Sequence, residues 1–553
     1  MTRAKLRIII LGGAGEIGRN MMLLEYGSDI IIIDAGIMFP ENDMLGIDVV
    51  IPDLTYVVER KEDVRAIIIT HGHEDHTGAL PYVLQEIKAP IYATKLTRGL
   101  IEVKLKEHKM LEDVELNTIQ AGDSITIGPF HIEFFHVCHS IPDGVGLAID
   151  TPVGLIVHSG DFKFDHTPVD GKPTDIAKLA ELGGRGVLAL LSDSTNAERP
   201  GFTPSERVVE EAFDDVFREA KGRIIVATFA SLISRIQQVV NCAVRHGRQV
   251  AIAGRSMVEN AAMAQKLGYL EIPPGVLIKL KDVDKLPPHK VVIIATGTQG
   301  EPSSALARMA TGKHPQIKVV PGDTVIISAH AIPGNEEMIN RTINRLFQRG
   351  ADVVYEKIAP VHVSGHASQE DQKLLISLIK PKYFVPIHGE LRHLTLHARI
   401  AQELGIPASN TLVVENGYIL EFDRESGRIG ERVPGGYVFV DGALVGDVGP
   451  MVMRDREILA RDGFVIAVIR LSKKTGEPIG RPEIITRGFV FVPDAQELIG
   501  DAQDRILRVL AKGAGDKVAI GNRVRDELAK FLYSETKRRP MIIPVVIEEN
   551  AAD

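Results

Sequence analysis

The chain has 553 residues, too many for a single hydrophobic core, so about three domains are expected. Its net charge of −9 excludes a protein that coats nucleic acid through a uniformly basic surface, and any nucleic-acid site must be a local basic groove. With no tryptophan and only 5% aromatic residues, a broad platform for stacking bases is excluded as well.

Apolar runs and cysteines indicate the compartment. The apolar runs, such as residues 30–33, are far shorter than the roughly 20 residues that span a bilayer. The two cysteines, Cys138 and Cys242, form no CxxC pair, and ordinary buried thiols are expected. We therefore expect a cytoplasmic protein with no membrane association.

Residues 1–205 are rich in short Ile/Val strands that end in glycine or polar loops. The predicted strands include 7–11, 29–34, 66–70, 131–137 and 155–158. Because few long helices separate them, this pattern favours a β-sandwich with flanking helices over a doubly wound sheet.

Residues 206–360 follow a different pattern. A predicted helix at 206–220 is followed by strands that alternate with helical segments, at 223–228, 249–253, 290–295 and 324–328. This alternation predicts a separate parallel α/β domain. The fold class expected for the whole chain is therefore mixed α/β (α+β).

The rest of the chain divides into two further parts. Residues 361–450 contain a predicted helix at 369–379, the segment 383–390 and further strands, and we interpret 451–463 as a linker. Residues 464–553 predict a strand, two helices and a strand, at 464–471, 495–511, 516–537 and 541–547. This order is typical of a small, compact α/β domain.

The motif His71-Gly72-His73-Glu74-Asp75-His76 directly follows an apolar strand. Packing gives no reason for such a density of polar groups, because buried polar groups need partners. Imidazole and carboxylate groups are zinc ligands, and neighbouring ones can bind two different ions. A solvated polar turn is the alternative, and this density disfavours it.

Later strands are followed by three more candidate ligands, His139, Asp161 and His388. Each alone is more often an ordinary hydrogen-bonded residue, but together with the first motif they complete a metal site. The glycines of residues 13–18 imitate a dinucleotide-binding fingerprint, which requires a helix after them. Residues 20–26 fit a strand better, so we expect these glycines to shape a turn near the metals.

The pattern His-x-His-x-Asp-His, continued by the three later ligands, resembles the metallo-β-lactamase superfamily. The resemblance implies an αββα sandwich and two zinc ions, with manganese as the alternative metal. Two such ions share a water, lower its pKa towards hydroxide and stabilise charge on the attacked group. The implied metal ligands are His71, His73 and His139 for one ion, Asp75, His76 and His388 for the other, Asp161 as the bridge, and Asp34 as support.

An α/β insertion between the metal motifs, followed by His366 and His388, resembles the β-CASP nucleases and, over essentially the whole chain, bacterial ribonuclease J. The stretches that carry this resemblance are 11–19, 71–80, 192–196, 228–235, 328–336, 361–367 and 386–390. It implies that 1–205 and 361–450 are two parts of a metallo-β-lactamase domain, that 206–360 is a β-CASP domain, and that 464–553 is an oligomerisation domain.

The resemblance also implies catalytic and substrate-binding residues. Asp193 and His366 form the acid pair, because a carboxylate-supported imidazolium can protonate a leaving 3′ oxygen, while Asp75 holds the nucleophile. From the residues alone, an Asx turn at Asp193 and polar filler at His366 stay open. The implied substrate-binding residues are Ser231, Leu232, Ile233, His362, Val363, Ser364, Gly365 and His366.

Two observations explain why these segments suit a phosphate. Backbone amides before the helix at 369–379, and a glycine that permits close approach, make a phosphate cradle. A helix N-cap is the alternative role for Ser231.

Basic candidates for an RNA groove are Arg235, Arg245, Arg248 and Arg255, with solvated faces as the alternative. His330 receives no role.

The family further implies a separate calcium site formed by Asp48, Asp441 and the carbonyl of Gly46, since oxygen ligands suit a hard cation. The resulting hypothesis is a metal-dependent ribonuclease that combines 5′→3′ exonuclease activity, with a preference for 5′-monophosphate RNA, and endonuclease activity. The products of this cleavage carry 5′ phosphates. Such an enzyme acts in rRNA processing and mRNA decay.

Two alternatives remain, a small-molecule metallohydrolase that acts on thioesters or lactones, and a non-catalytic RNA-binding scaffold. The expected partners are single-stranded RNA, further copies of the chain in a dimer or tetramer, and other RNA-decay proteins.

Overall fold

The computed structural model describes residues 5–41, 43–332, 335–490, 495–511 and 516–549. They form two compact units, one within 1–41 and 49–438 and the other within 42–48 and 439–553. None of the helices in these described ranges is both long and apolar enough to cross a membrane.

The elements before residue 206 are mostly short strands. The strands are β1 Leu6–Gly12, β2 Ala14–Gly15, β3 Met21–Tyr26, β4 Asp29–Ile33, β5 Val49–Pro52, β6 Val64–Ile68, β7 Ile91–Thr94, β8 Leu116–Ile119, β9 Ser124–Ile127, β10 Phe130–His136, β11 Val145–Thr151, β12 Gly154–His158 and β13 Val187–Asp193. The helices are α1 Thr55–Val58, α2 Glu74–Thr77, α3 Leu80–Glu86, α4 Lys95–Glu107 and α5 Ile176–Arg185.

Strands and helices alternate in the next segment and continue to residue 432. They are α6 Arg207–Glu219, β14 Ile224–Ala227, α7 Ile233–Arg245, β15 Gln249–Ala253, α8 Arg255–Leu267, β16 Leu277–Ile278, β17 Val291–Ala295, α9 Ala305–Thr311, β18 Thr324–Ile327, α10 Glu336–Gln348, β19 Asp352–Tyr355, α11 Gln369–Ile379, β20 Tyr383–Ile387, β21 Gly389–Glu390, α12 Leu391–Glu403, β22 Tyr418–Phe422 and β23 Gly427–Arg432.

Two sheets face each other in the first unit, with strand orders β23-β22-β1-β3-β4-β6-β7-β8 and β20-β13-β12-β11-β10-β9. Ile8, Ile31 and Leu147 belong to the single core formed by these sheets. Ile30 and Ile32 on β4 are fully buried too, so both faces of this strand are covered, which explains its unbroken isoleucine run. Helices α5, α11 and α12 pack on the six-stranded sheet, and α4 packs on β7 and β8. The predicted sandwich with flanking helices is confirmed.

Strands from both sides of the α/β segment complete these sheets. β1 pairs antiparallel with β22, where Ile8 lies opposite Leu420, and β13 pairs parallel with β20, where Leu191 lies opposite Val385. The sandwich is therefore interrupted in sequence by the segment that contains β14 to β19. Residues 20–26 form β3, as expected, and not a helix.

The interrupting segment has its own six-stranded parallel sheet, ordered β16-β15-β17-β14-β18-β19. Alternate residues of β14 enter two separate clusters, Ile224 and Val226 on one face and Ile225 and Ala227 on the other. A parallel sheet covered on both faces is the predicted α/β arrangement. We refer to this segment as the insert.

The second unit contains the elements from the end of β24 onwards. They are β24 Tyr437–Asp441, β25 Leu444–Val445, α13 Pro450–Asp462, β26 Phe464–Ser472, β27 Glu483–Arg487, α14 Gln496–Ala511, α15 Lys517–Thr536 and β28 Met541–Glu549. β26 pairs parallel with β28 and antiparallel with β27, and α14 and α15 pack against this sheet. The segment 451–463, interpreted as a linker, lies almost entirely in helix α13, which begins at a proline and is capped by Gly463 at φ 71°.

Candidate metal centre and active site

The predicted ligands lie in loops that follow strands at one edge of the sandwich. β4 runs parallel to β6, and β12, β13 and β20 run parallel to one another. Since the carboxyl ends of parallel strands meet at the same edge, the residues that follow these strands are brought together. Those residues are Asp34, the 71–76 motif, Asp161 and His388. Asp193 is the last residue of β13, and His139 joins them after β10.

The first cluster consists of His71, His73 and His139, whose potential ligand atoms lie within 4.8 Å of one another. The Nδ1 atom of His73 is 3.1 Å from Nε2 of both His71 and His139. Burial lowers the pKa of His71 and His139, and it lowers the pKa of His73 to about 4. The three imidazoles are therefore neutral near pH 7, which is the form that binds a metal.

The second cluster consists of Asp75, His76, Asp161 and His388. Burial alone would lower the pKa of both histidines, but the neighbouring carboxylates outweigh it and raise the pKa of His76, and that of His388 to about 10. The pKa of Asp161 is correspondingly held well below its usual value, because the charges of His388 and His76 outweigh its burial. A divalent cation held here would displace the protons of these two histidines, because only the neutral imidazole is a ligand. Carboxylates and neutral imidazoles in one buried cluster are a donor set suited to such a cation.

Asp161 lies between the two clusters. Its Oδ2 atom is 3.6 Å from Nε2 of His71 and 3.1 Å from Nε2 of His76, while Oδ1 is 3.0 Å from Nδ1 of His388. Within the described residues, Asp161 Oδ2 and His388 Nε2 are buried without a hydrogen-bond partner. Unsatisfied buried polar atoms are unfavourable unless a ligand compensates them. The residues present therefore fit bound metal.

Unusual backbone angles and hydrogen bonds hold the ligands in place at this edge of the sandwich. Asp34 and His388 adopt positive φ values of 61° and 52°, which non-glycine residues rarely do outside functional sites. Asp34 Oδ2 lies 2.7 Å from Nδ1 of His76, and its Oδ1 accepts the Thr70 amide at 2.8 Å. The His388 amide donates to the carbonyl of Gly13 at 2.6 Å, which places the glycine turn beside the ligands.

Asp193 and His366 meet next to the clusters. His366 Nδ1 lies 2.8 Å from Asp193 Oδ2, and its ring centroid is 4.8 Å from that of His139 and 5.3 Å from that of His388. Asp193 also accepts the Thr195 amide at 3.0 Å, so the Asx turn considered as an alternative is present together with the pair.

The loop at 361–366 is held close to the first cluster. The carbonyl oxygen of Gly365 lies 2.8 Å from His139 Nδ1, and a Cβ on Gly365 would come within 2.7 Å of the His139 ring and of the Ser140 backbone nitrogen. Only glycine permits this approach. Ser364 Oγ accepts a hydrogen bond from Asn196 at 2.8 Å.

Ser231 and Leu232 lie in the turn between β14 and α7, and Ile233 is the first residue of α7. The cap residue of α7 is Leu232, with no side-chain cap, so the N-cap alternative for Ser231 is wrong. The Ser231 side chain is partly exposed and makes no hydrogen bond to another residue in the described ranges. The link between this turn and the 361–366 loop is Arg235, which donates to the Val361 carbonyl at 3.0 Å.

The basic residues considered for an RNA groove are mostly engaged elsewhere. Arg235 is fully buried, and Arg248 is buried and donates to the carbonyls of Ala220 and Gly222. Arg245 pairs with Glu210 at 2.9 Å. Arg235 and Arg248 therefore cannot face RNA. Of the four candidates, only Arg255 is exposed and has no such partner within the described residues.

His330 lies outside both metal clusters. Its Nδ1 is 2.5 Å from Glu356 and its Nε2 accepts a hydrogen bond from Arg199 at 2.8 Å. The ring is 46% exposed, so it contributes to a surface network between the sandwich and the insert.

The guanidinium of Arg456 lies beside the residues of the implied calcium site. Asp48 accepts the Gly442 amide at 2.8 Å, while Asp441 pairs with the guanidinium of Arg456, which also donates to the Leu45 carbonyl at 2.9 Å. A Cβ on Gly46 would lie 2.9 Å from the same guanidinium. Because Arg456 already supplies the positive charge, the arrangement does not fit a calcium ion.

Sequence reasoning missed four polar residues that orient the site. Asn20 Nδ2 lies 3.1 Å from His76 Nε2, and Thr70 hydrogen-bonds Asp34. Asn196 and Thr203 both donate to the His366 carbonyl. Asn and Thr are common in turns, so no pattern distinguished them from ordinary loop residues.

Family models match four parts of the chain. They are described as metallo-beta-lactamase superfamily over residues 14–199, ribonuclease J beta-CASP domain over 221–346, Zn-dependent metallo-hydrolase RNA specificity domain over 350–410, and ribonuclease J C-terminal domain over 451–549. Together with the two clusters of ligands, these matches establish metal binding and RNA binding as properties of the chain.

Individual relatives agree over the full length. Ribonuclease J2 of Bacillus subtilis (strain 168) is 45% identical over 546 residues, which cover 98% of both chains. Ribonuclease J 1 of Streptococcus pyogenes serotype M3 is 44% identical over 544 residues, 98% of this chain and 97% of the relative. A solved protein of unknown function from Enterococcus faecalis V583 shares the fold at a TM-score of 0.54 and 17% identity, over 76% of this chain and 100% of its own. The chain belongs to the ribonuclease J family and is a metal-dependent ribonuclease.

Proposed function

We propose that this ribonuclease degrades single-stranded RNA in the 5′→3′ direction from 5′-monophosphate ends, cuts internally as well, and leaves 5′-phosphate products in RNA maturation and decay. The observation that carries the proposal is the Asp193–His366 pair directly beside two clusters of metal ligands. A small-molecule metallohydrolase has no need for an acid pair at this position, and a non-catalytic scaffold has no need for a complete ligand set.

The proposed metals are two zinc ions, with manganese as the alternative. His71, His73 and His139 would hold one, and Asp75, His76 and His388 would hold the other; Asp161 lies between the two sets of ligands. When bound, these ions supply an activated water and stabilise negative charge on the phosphate. Asp34 holds His76 in orientation through its 2.7 Å contact.

The chain's own residues handle the proton. Asp193 occupies Nδ1 of His366, so the Nε2 proton is the one available for the departing 3′ oxygen. Asp75 Oδ2 lies 3.4 Å from His388 Nε2, and its carboxylate can also accept a hydrogen bond from the attacking water. An alkoxide leaves poorly until it is protonated, so the acid is needed on RNA.

The preference for a monophosphate end follows from the proposed pocket. Its members are Ser231, Leu232 and Ile233 at the start of α7, and His362 to His366 in the loop. The Ser231 hydroxyl, which has no hydrogen-bond partner within the described part of the chain, and the loop amides can donate charge-assisted hydrogen bonds to a terminal phosphate. A triphosphate is larger and more highly charged, and we expect the pocket to exclude it.

The test compares single-stranded RNA with 5′-monophosphate and 5′-triphosphate ends, each with and without EDTA. We expect processive degradation of the monophosphate substrate, slow attack on triphosphate ends, residual internal cuts on both, and no cleavage after chelation. Equal rates on the two ends would remove the pocket from the proposal and leave the metal chemistry standing.

We also propose that the chain assembles into dimers or tetramers through residues 464–553. Ile543, Val545 and Ile547 alternate along β28 and are 41%, 37% and 39% exposed, and Ile485 on β27 is 37% exposed. An exposed apolar sheet face is typical of an interface. Light scattering of the full chain with Ile543→Lys and Ile547→Lys should show smaller assemblies, and an unchanged mass would contradict the assignment.

The predicted boundaries, 1–205 and 361–450, 206–360, and 464–553, remain part of this proposal. So do a cytoplasmic location, which the free and buried Cys138 and Cys242 suit, and association with other RNA-decay proteins.

A further inference from the structure

Arg235, in the first turn of α7, is fully buried although it carries a charge. Its Nε donates to Gln238 at 2.8 Å and its Nη2 to Glu206 Oε2 at 2.6 Å. Its Nη1 donates to the Ser328 hydroxyl and to the Val361 carbonyl. Burying a guanidinium is unfavourable unless partners of this kind satisfy its donors, so the arrangement is specific.

The Val361 carbonyl is held by two donors from the insert. Arg235 reaches it from α7 at 3.0 Å, and Ser328, directly after β18, donates its hydroxyl at 2.6 Å. Val361 is the residue at which the chain leaves the insert and enters the loop that ends at His366. The insert therefore sets the path of the backbone at the start of that loop.

The far end of the loop has separate anchors in the sandwich part. The His366 carbonyl accepts hydrogen bonds from Asn196 at 3.0 Å and from Thr203 at 2.7 Å, and Asn196 also holds Ser364. With both ends fixed, the path of the loop backbone is set, and this path places the His366 ring 2.8 Å from Asp193. Loss of the Val361 anchor would free one end only.

Glu206 connects Arg235 to the metal-binding segment. Its Oε2 pairs with Arg235, and its Oε1 lies 3.6 Å from Nζ of Lys163, a fully buried lysine two residues after Asp161. The Glu206 amide donates to Asp165 at 2.9 Å. A continuous line of buried charges therefore runs from the Asp161 segment to the loop.

We propose that Arg235 is a positioning residue, which holds the 361–366 loop so that His366 faces the 3′ oxygen of the bond being cut. The inference rests on the proposed role of His366 as the acid. It assigns to Arg235 no contact with RNA. A misplacement of about 1 Å in a catalytic group can lower a rate by about 100-fold, even when the changed residue is remote.

The test uses two substrates that differ in their need for an acid. RNA releases an alkoxide, which requires a proton, whereas bis(p-nitrophenyl) phosphate releases p-nitrophenolate, a stable anion that leaves without one. Arg235→Gln should lower kcat on RNA by about 10- to 100-fold, with hydrolysis of the small diester and metal content unchanged. Arg235→Lys should recover part of the loss, because an ammonium group can replace some of the N–H donors. It cannot reproduce the fixed, planar arrangement of donors in the guanidinium group.

Two further variants control for folding. Arg248→Lys changes another buried arginine of the insert, which among the described residues donates only to the carbonyls of Ala220 and Gly222. This change should leave the ratio of the two activities unchanged. Ser328→Ala removes one donor to Val361 and leaves the Arg235–Glu206 pair intact, so it decides the matter if the Arg235 variants do not fold. It should lower the RNA rate selectively, by less than Arg235→Gln does.

The outcomes separate the inference from the proposed function. Parallel loss on both substrates, or no loss on RNA, in Arg235→Gln and Ser328→Ala would overturn the positioning role. His366→Ala supplies the reference. If it also lowers both activities equally, the acid role itself has failed; if it is selective for RNA while the Arg235 and Ser328 variants are not, only the inference has failed.

Discussion

The Nδ1 atom of His366 lies 2.8 Å from Oδ2 of Asp193, a carboxylate that is 1% exposed. Burial by itself lowers the pKa of His366, but the charge and hydrogen bond of Asp193 outweigh it and raise that pKa above its usual value. The imidazole therefore keeps its proton at a pH where a free histidine would lose it. An acid that must protonate a leaving group near neutral pH needs this state.

Asp193→Asn should shift the pH profile of RNA cleavage. Removing the negative charge lowers the pKa of His366, so the protonated form is lost at a lower pH. The alkaline limb of kcat/KM should move towards acid, and the variant should lose more activity around pH 8 than around pH 6. Asp29→Asn, which loses only a contact with Arg65, is the control. An unmoved alkaline limb in Asp193→Asn would contradict the pairing.

Metal content should depend on which cluster is changed. Elemental analysis of the purified chain should find two transition-metal ions, and EDTA should abolish RNA cleavage. His73→Ala should lose one ion, since it belongs to the first cluster, while Asp161→Ala should lose both, since its carboxylate faces both. His330→Ala, outside the clusters, should keep two. Active protein without metal would refute the centre.

Ser231→Ala should reduce the discrimination between 5′ ends. The hydroxyl is free of protein partners in the described ranges, so its removal affects a bound phosphate and not the fold. We expect the rate on monophosphate ends to fall by about 10-fold, the value of one charge-assisted hydrogen bond, with internal cutting almost unchanged. The measurement is the ratio of exonuclease to endonuclease rates on the same RNA. A uniform loss of both rates would argue against the pocket.

The Glu25 carboxylate should stabilise the folded protein at neutral pH and lose this effect in acid, when it becomes protonated. It lies between Arg7, Arg60 and Tyr56, and although burial raises its pKa, the hydrogen bonds from these three partners lower it below 4.5 overall. A lowered folded-state pKa stabilises the protein above the unfolded-state value, and the effect is lost as the pH falls through the folded value. Glu25→Gln should therefore cost about 1–3 kcal/mol at neutral pH. Thermal unfolding should show this difference shrinking below about pH 4; a constant difference would be inconsistent with the shift.

The sequence was most informative where ligands follow strands. The 71–76 motif and the resemblance to the metallo-β-lactamase superfamily predicted that Asp34, Asp161 and His388 belong to one metal site. The parallel pairing that brings the ends of their strands to one edge is seen only in the structure. Burial of charge could not be predicted in this way. Arg235 lies on the helix that also carries Ile233 and Ile236, and a basic residue in such a helix is more often solvated. Only the path of residues 206, 328 and 361 shows that its partners surround it.

The charge partner at the implied calcium site could not be predicted either. Asp48 and Asp441 do come from segments that lie together, since the Asp48 amide donates to the Val440 carbonyl at 2.9 Å. The residue that decides the site is Arg456, 15 positions after Asp441 and on helix α13. No sequence motif indicates that an arginine on α13 pairs with the carboxylate of Asp441. The sequence predicts a linker at 451–463, and a linker gives no reason to expect this contact.

The parallel pairing of β13 with β20 also constrains how the chain can be made. Residue 193 leaves the ribosome about 190 residues before β20 does, which at 5–20 residues per second is roughly 10–40 s. During that interval the edge of β13 has no partner, and neither does the β22 side of β1. Open edges of this kind attract other strands, so newly made sandwich is exposed to aggregation while the insert is still being synthesised. His388 directly follows β20, and therefore the strand that protects this edge also delivers the last ligand of the second cluster.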